Sequence, residues 1–282
     1  MASLLQGREV VQALNAKLIQ EVERLDALGI TPKLAIIRIG EREDDIAYER
    51  GALRRADTIG VACESIVLAA EVTQEELLAA IDRVNREDSI HGCLLLRPLP
   101  KHLDDNLIRN ALAPEKDIDG ITDASLAGVF AAQQTGYPPC TPQACMEIID
   151  HYGIETSGKR AVVIGRSLVV GKPAAMMLIQ KNATVTICHT RTMDMPAITR
   201  EAEILIVAAG RAGIVGKDYL SPGQIVIDVG INFDAEGKMC GDVDFAAAED
   251  LVEAITPVPG GVGTVTTSVL MKHVIMAATA RV

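Results

Sequence analysis

Tryptophan is absent from this chain of 282 residues, and only four tyrosines and three phenylalanines occur in it. A core must therefore be built from Ala, Val, Ile, Leu and Met, and 49% hydrophobic residues supply it. Positive charge is also short. Lys plus Arg number 27 against 38 Asp plus Glu, a net charge of −11. A polyanion would on average be repelled, which argues against nonspecific nucleic-acid binding but not against a local basic pocket for a small phosphate. Six cysteines, at 63, 93, 140, 145, 188 and 240, stand singly. Without a CxxC pair or a Cys/His cluster, neither disulfides nor a metal site is expected. No run approaches the roughly 20 apolar residues a membrane helix needs. The N-terminus also lacks the basic start and long apolar core of a secretory signal. A cytoplasmic protein without membrane or nucleic-acid partners is the simplest expectation.

What the sequence does contain is alternation. Apolar strand-like runs such as "KLAIIRIG" (33–40), "ESIVLA" (64–69) and "IHGCLLLRPLP" (90–100) are separated by helical periods, the sequence form of a parallel α/β fold. One of those helices opens on a capping box, Thr73 to Glu76. Another is expected to start with Thr141 as N-cap and Pro142 in its first turn. In the second half, strands are expected at 159–165, 183–189, 203–210 and 223–232. The motif grammar changes near residue 121, so domains are expected at 1–121 and 122–282. A last apolar helix, about 265–282, must pack on something, with the first domain as one candidate.

Two glycine-containing loops point to ligands. In "VVIGRSLVVGKPAA" a strand runs into a turn opened by Gly165 and closed by Gly171, then into a helix. Gly165 permits the sharp turn, and the amides of the turn and helix start can hold a pyrophosphate. Arg166 and Ser167 lie in that turn. After the next strand, "TICHTRT" has no acid to grip a ribose hydroxyl; it offers Thr190 and Arg191 instead, so NADP is expected over NAD. Small residues in "DVGIN", which includes Ile231, allow a flat ring to approach the sheet. The second loop, "AITPVPGGVGTVTT", carries Pro259, Gly260, Gly261, Val262 and Gly263 and can present backbone amides to a ligand. From pattern alone, each of these segments also reads as an ordinary turn or solvated loop.

A third feature is the helix "DDIAYERGALRRADTIG", Asp44 to Gly60. Asp45, Tyr48, Ala52 and Arg55 share one side at spacings of three and four. An acid and a phenol there suggest chemistry; an acid near a helix start also suits the macrodipole.

Together, "RPLP", "PEKDIDG", "CTP", "VVIGRSLVVGKP", "VIDVGIN" and "ITPVPGGVG" occur in the order seen in the bifunctional methylenetetrahydrofolate dehydrogenase/methenyltetrahydrofolate cyclohydrolase family, which the chain resembles along nearly its whole length. The resemblance implies an N-terminal α/β folate-binding domain and a C-terminal Rossmann-type NAD(P)-binding domain, usually in a homodimer. It implies substrate contacts from Asp45, Tyr48, Ala52, Leu95, Leu96, Arg97, Asp119 and the 259–263 loop, with Tyr48 and Asp119 as the catalytic-site survivors. It implies cofactor contacts from Gly165, Arg166, Ser167, Thr190, Arg191 and Ile231. The departures are concentrated. Ala52 stands where the family has a lysine, Leu96 where it has a glutamine, Asp45 where it has a serine, and Thr264 and Val265 replace a proline–methionine pair. Alanine and leucine cannot handle the protons of methenyl hydrolysis, so a dehydrogenase with weak or absent cyclohydrolase activity is expected. Two alternatives stay open: a fully bifunctional enzyme in which another group replaces the lysine, and a catalytically silent or substrate-diverged paralogue that binds a nucleotide or pterin.

Overall fold

The computed structural model describes every residue from Met1 to Val282. Its contacts divide the chain into two compact units, Met1–Gln12 with Thr141–Thr266, and Ala13–Cys140 with Thr267–Val282. The units therefore do not part at the single break expected at residue 121. Residues 122–140 and the chain from 267 onward fold with the first-half strands, while the first twelve residues fold with the second half. The reason is apolar surface. The last helix, Val262–Thr279 rather than 265–282, buries Val269, Leu270, Met271, Val274 and Ile275 almost completely.

The unit built on 13–140 holds three parallel strands in the order Ala62–Leu68, Lys33–Ile39, Gly92–Leu95. The middle strand is buried from Leu34 to Ile37, as a strand covered on both faces must be. The helix Gln74–Arg86 begins at the expected capping box and packs Leu77, Ile81 and Val84 against Ala35, Ile37, Ile90, Cys93 and Leu95. The third strand is shorter than its apolar run. Leu96 N still bonds Ile37 O at 3.0 Å, but Pro98 and Pro100 have no N–H to continue a ladder. The helix Glu43–Ile59 follows the middle strand and ends on Gly60, whose φ of 93° is the left-handed cap a glycine allows.

The other unit is a six-stranded parallel sheet. Its order is Ser3–Leu4, Ala254–Ile255, Ile225–Asp228, Ile204–Val207, Arg160–Ile164, Thr184–Cys188. Strand order reverses around Arg160–Ile164, whose neighbours are Thr184–Cys188 on one side and Ile204–Val207 on the other. Such a switch point opens a crevice at the C-terminal ends of the strands. The run expected as one strand over 223–232 divides into Ile225–Asp228 and a short hairpin, Asn232–Phe233 with Met239–Cys240. Asp228 turns the chain there by accepting from Gly230 N at 2.9 Å. The helix expected to be capped by Thr141 begins at Cys140, which leaves Thr141 and Pro142 in its first turn.

One buried cation holds an element in place. Lys116 is only 2% exposed, and its ammonium donates to Val84 O and to Glu87 O, the latter at 2.7 Å. These are carbonyls at the end of the helix Gln74–Arg86, where a cation also meets the negative pole of the helix. Lys116→Met is expected to leave Val84 O without its ammonium donor and Glu87 O with only the Ile90 amide, and to lower unfolding free energy by about 1–3 kcal/mol, measured as a shift of the urea midpoint. An unchanged midpoint would show that the ammonium adds nothing.

Candidate active site

The segment from Pro114 to Thr122 contains only one short 3₁₀ turn, yet Lys116, Asp117 and Ile118 are buried. A buried irregular loop must have its polar groups satisfied, and here nearly every residue is pinned. Asp117 accepts from Ile121 N at 3.0 Å, Thr122 N at 2.8 Å and Ser125 Oγ at 2.6 Å. Arg109 donates to Ile121 O at 2.8 Å. Gly120, at φ 66°, lies so close to Tyr137 O and Pro138 that a Cβ would overlap them. His273 Nδ1 lies 2.8 Å from Ile118 O, and the Cys140 thiol lies 3.4 Å from the same oxygen. The frame presents one residue, Asp119.

Burial drives the Asp119 carboxyl up to about 7; Asp117 adds to the rise, while a hydrogen bond from Cys140 and the charge of Arg97 oppose it. Asp119 keeps some accessible surface, so the carboxyl is enclosed yet reachable. Tyr48 as a residue is 37% exposed, but its hydroxyl ionises well above the ordinary range, first because of burial and then because of Asp119 and Cys140. Tyr48 therefore stays a neutral phenol and Cys140 a neutral thiol, the latter raised by burial and by Asp119.

The remaining predicted residues of this unit are placed less uniformly. Ala52 is fully buried and Leu96 is 7% exposed, so both present only hydrocarbon. Leu95 is buried in the strand core. Asp45 is buried against Arg42 at 3.8 Å, and burial raises its carboxyl. Arg97 is clamped by Asp105, with Nε 2.8 Å from Oδ1 and a second bond from Nη2 to Oδ2.

In the other unit, the turn after Arg160–Ile164 sits at the switch point. Gly165, at φ 124°, would overlap Ala208 O with any Cβ, and Gly171 would overlap Gly165 O. Two glycines are thus required for the backbone to fold this tightly over the neighbouring strand. Ser167 Oγ accepts from Val170 N at 3.0 Å and shapes the turn. Gly165 N bonds Cys188 O at 2.8 Å, which joins this turn to the loop holding Thr190 and Arg191. Arg166, Thr190 and Arg191 are exposed, and neither arginine is in an ion pair. These features fit a dinucleotide: a side-chain-free cradle for a pyrophosphate and two free guanidinium groups at adjacent strand ends. The 259–263 loop belongs to this same unit. Gly7 abuts Gly261 O, and Ile231 packs beside Gly263.

Sequence reasoning missed the groups that hold these loops. Asp242, fully buried, accepts from Ala209 N, Gly210 N, Arg211 N and Asn232 Nδ2 at 2.6–2.9 Å. Asp228 accepts from Gly230, Asp242 and Val243 amides at 2.9–3.0 Å, although burial lifts its carboxyl to about 6. Cys140 was legible only as the first residue of "CTP", with no role attached, and His273 had no signal, being a lone imidazole in an apolar helix.

The geometry can be set beside known proteins. Residues 5–119 match the family description "Tetrahydrofolate dehydrogenase/cyclohydrolase, catalytic domain", and residues 139–282 match "Tetrahydrofolate dehydrogenase/cyclohydrolase, NAD(P)-binding domain". A bifunctional protein FolD from Carboxydothermus hydrogenoformans is 52% identical over 279 residues, covering 98% of this chain and 97% of that one. The FolD methylenetetrahydrofolate dehydrogenase/cyclohydrolase structure from Campylobacter jejuni superposes with a TM-score of 0.97 at 36% identity, covering all of both chains. The Trypanosoma brucei enzyme, solved with NADP and an inhibitor, gives 0.92 at 35% identity and covers 99% of this chain and 98% of that one.

The Asp119 carboxyl has a measurable signature in stability. Its folded value of about 7 lies above the ordinary unfolded value of about 3.9. Between these the native state binds the extra proton, so its contribution is complete below about pH 4 and is lost as pH rises through 7. Asp119→Asn is expected to flatten that part of the stability profile and to gain on the parent protein at pH 8, as read by urea unfolding at pH 5 and 8. Parallel profiles for the two proteins would contradict it.

Proposed function

Because this chain belongs to the tetrahydrofolate dehydrogenase/cyclohydrolase family, we propose that it oxidises 5,10-methylenetetrahydrofolate with NADP and adds little to hydrolysis of the methenyl product. One observation carries the second half of that reading. Both positions where the family has its proton-handling lysine and glutamine are hydrocarbon here, Ala52 fully buried and Leu96 nearly so. Hydrolysis needs water activated and a proton delivered to a departing nitrogen, and neither residue can do either.

Hydride transfer asks less of the protein. NADP supplies the hydride acceptor; the chain has to hold and orient the folate. An ionised Asp119 carboxylate can accept from the ring amide and the exocyclic amine of a pterin together. Tyr48, a partly exposed residue, offers a neutral phenol. Arg166, Thr190 and Arg191 are the groups proposed for the 2′-phosphate, and the chain is proposed to act as a cytoplasmic homodimer. Family resemblance alone supports the homodimer, and a monomeric mass by light scattering would overturn it.

A second reading has one observation in its favour. Asp119 titrates at about 7, where a carboxyl can give and take protons at neutral pH, and could restore hydrolysis without a lysine. Its relatives are named bifunctional.

Purified protein given 5,10-methylenetetrahydrofolate should reduce NADP faster than NAD, and added methenyltetrahydrofolate should disappear no faster than it does spontaneously. No reduction of either cofactor would sink the leading reading; accelerated methenyl loss would favour the second. Ala52→Lys with Leu96→Gln should raise methenyl hydrolysis by roughly 10²-fold or more. Arg191→Ala should raise KM for NADP about tenfold and leave KM for NAD unchanged; equal effects on both cofactors would remove Arg191 from the phosphate site.

A further inference from the structure

We infer that His189 is a positioning residue for the 2′-phosphate site: its imidazole accepts the backbone N–H of Arg191, and this bond sets the preference for a 2′-phosphorylated dinucleotide. The role rests on the reading of Thr190 and Arg191 as the groups that meet the phosphate, and His189 is what aims them.

Between Cys188 and Met195 the chain has no strand or helix ladder to follow. Cys188 ends the strand Thr184–Cys188, is fully buried, and is tied by its carbonyl to Gly165 N at 2.8 Å. The next helix begins at Met195. The four residues His189–Thr192 close on themselves instead. Thr192 N donates to His189 O at 2.8 Å, and His189 N donates to Thr192 Oγ1 at 2.9 Å. Arg191 N donates to His189 Nδ1 at 3.1 Å. Three of the four amides are thereby used inside the turn, and Thr190 N is the one with no partner in the fold. That amide, the exposed Thr190 hydroxyl and the exposed Arg191 guanidinium can all donate to a phosphate oxygen.

Proton counting settles the state of the ring. A backbone N–H only donates, so Nδ1 must present its lone pair, and the single hydrogen of the neutral imidazole lies on Nε2. A proton on Nδ1 would face the Arg191 N–H and break the bond. His189 therefore serves the turn as a neutral acceptor, not as a charge. The arrangement is that of an Asx turn, in which a side-chain oxygen accepts from the amide two residues on; here Nδ1 takes the place of that oxygen. Without it the Arg191 amide has no acceptor, and the peptide between Thr190 and Arg191 can rotate toward water. The two side chains then lose their common aim. The turn Gly165–Gly171 is shaped by its own contacts and by Ser167, so the cradle for the pyrophosphate stays as it is.

Adenosine 2′,5′-bisphosphate and 5′-AMP differ by the 2′-phosphate alone, and calorimetric titration of the whole protein with each reads the site with no reaction to follow. The parent protein should bind the bisphosphate more tightly. His189→Ala should weaken the bisphosphate roughly three- to tenfold, the cost of one lost hydrogen bond, and leave 5′-AMP unchanged. His189→Asn puts an oxygen where Nδ1 was and should restore the affinity. His189→Gln, whose amide reaches the Nε2 position, should not, and neither should His189→Lys, which brings charge without the acceptor. KM for NADP should follow the bisphosphate, and KM for NAD should follow 5′-AMP. Nitrogen NMR of protein with labelled histidine should show His189 bare at Nδ1 and protonated at Nε2 at neutral pH. The opposite tautomer, rescue by Lys instead of Asn, or equal weakening of both nucleotides would overturn the inference. If His189→Ala fails to fold by circular dichroism, the tautomer and the contrast between Asn and Gln decide the matter. A parent protein that binds both nucleotides equally refutes the phosphate site itself; a parent that discriminates, and still discriminates as His189→Ala, refutes only the role of His189.

Discussion

A buried loop with no regular hydrogen-bond ladder survives only if each of its polar groups finds a partner inside the fold. The segment Lys116–Ile121 meets that demand with side chains from four other elements, and the setting of Asp119 follows from it. Lys116 ties the loop to the end of one helix, Asp117 closes it on its own amides, and His273 reaches Ile118 from the last helix. Gly120 admits the chain where a Cβ would collide. Asp119 is the residue left facing outward from this frame, at a cost in desolvation that its raised titration records.

The dinucleotide-binding unit solves the same problem with carboxylates. Asp242 gathers three consecutive amides after the strand Ile204–Val207, and Asp228 gathers three more across the chain crossing at Gly230 and Gly241. Both acids are buried and their oxygens are engaged by amides of the loops they hold. Arg166 and Arg191 lie exposed at the strand ends and in no ion pair. A chain with a net charge of −11 can thus still offer a local anion site.

The two halves of the family's chemistry place different demands on these frames. Hydride transfer depends on distance and stacking, which glycine turns and a pinned loop provide. Hydrolysis depends on a proton-handling side chain at a particular point, and Ala52 and Leu96 put hydrocarbon there.

Alternating apolar runs determined the α/β class, and the residues around Gly165 and Thr190 marked a dinucleotide turn, because both depend on neighbours a few positions away. Tyr48, Asp119, Ala52 and Leu96 were singled out only through resemblance to a family. The compact units were not legible: an apolar helix at the chain end carries no sign of which surface it will cover, and residues 122–140 read as the start of a second domain. His273 was equally silent, since Ile118 and His273 lie 155 residues apart in sequence. Local sequence determines which elements form and where the backbone must turn. Only the tertiary structure decides which distant donor meets which carbonyl, because that pairing is settled by packing and desolvation, which act between elements and leave no periodicity along the chain.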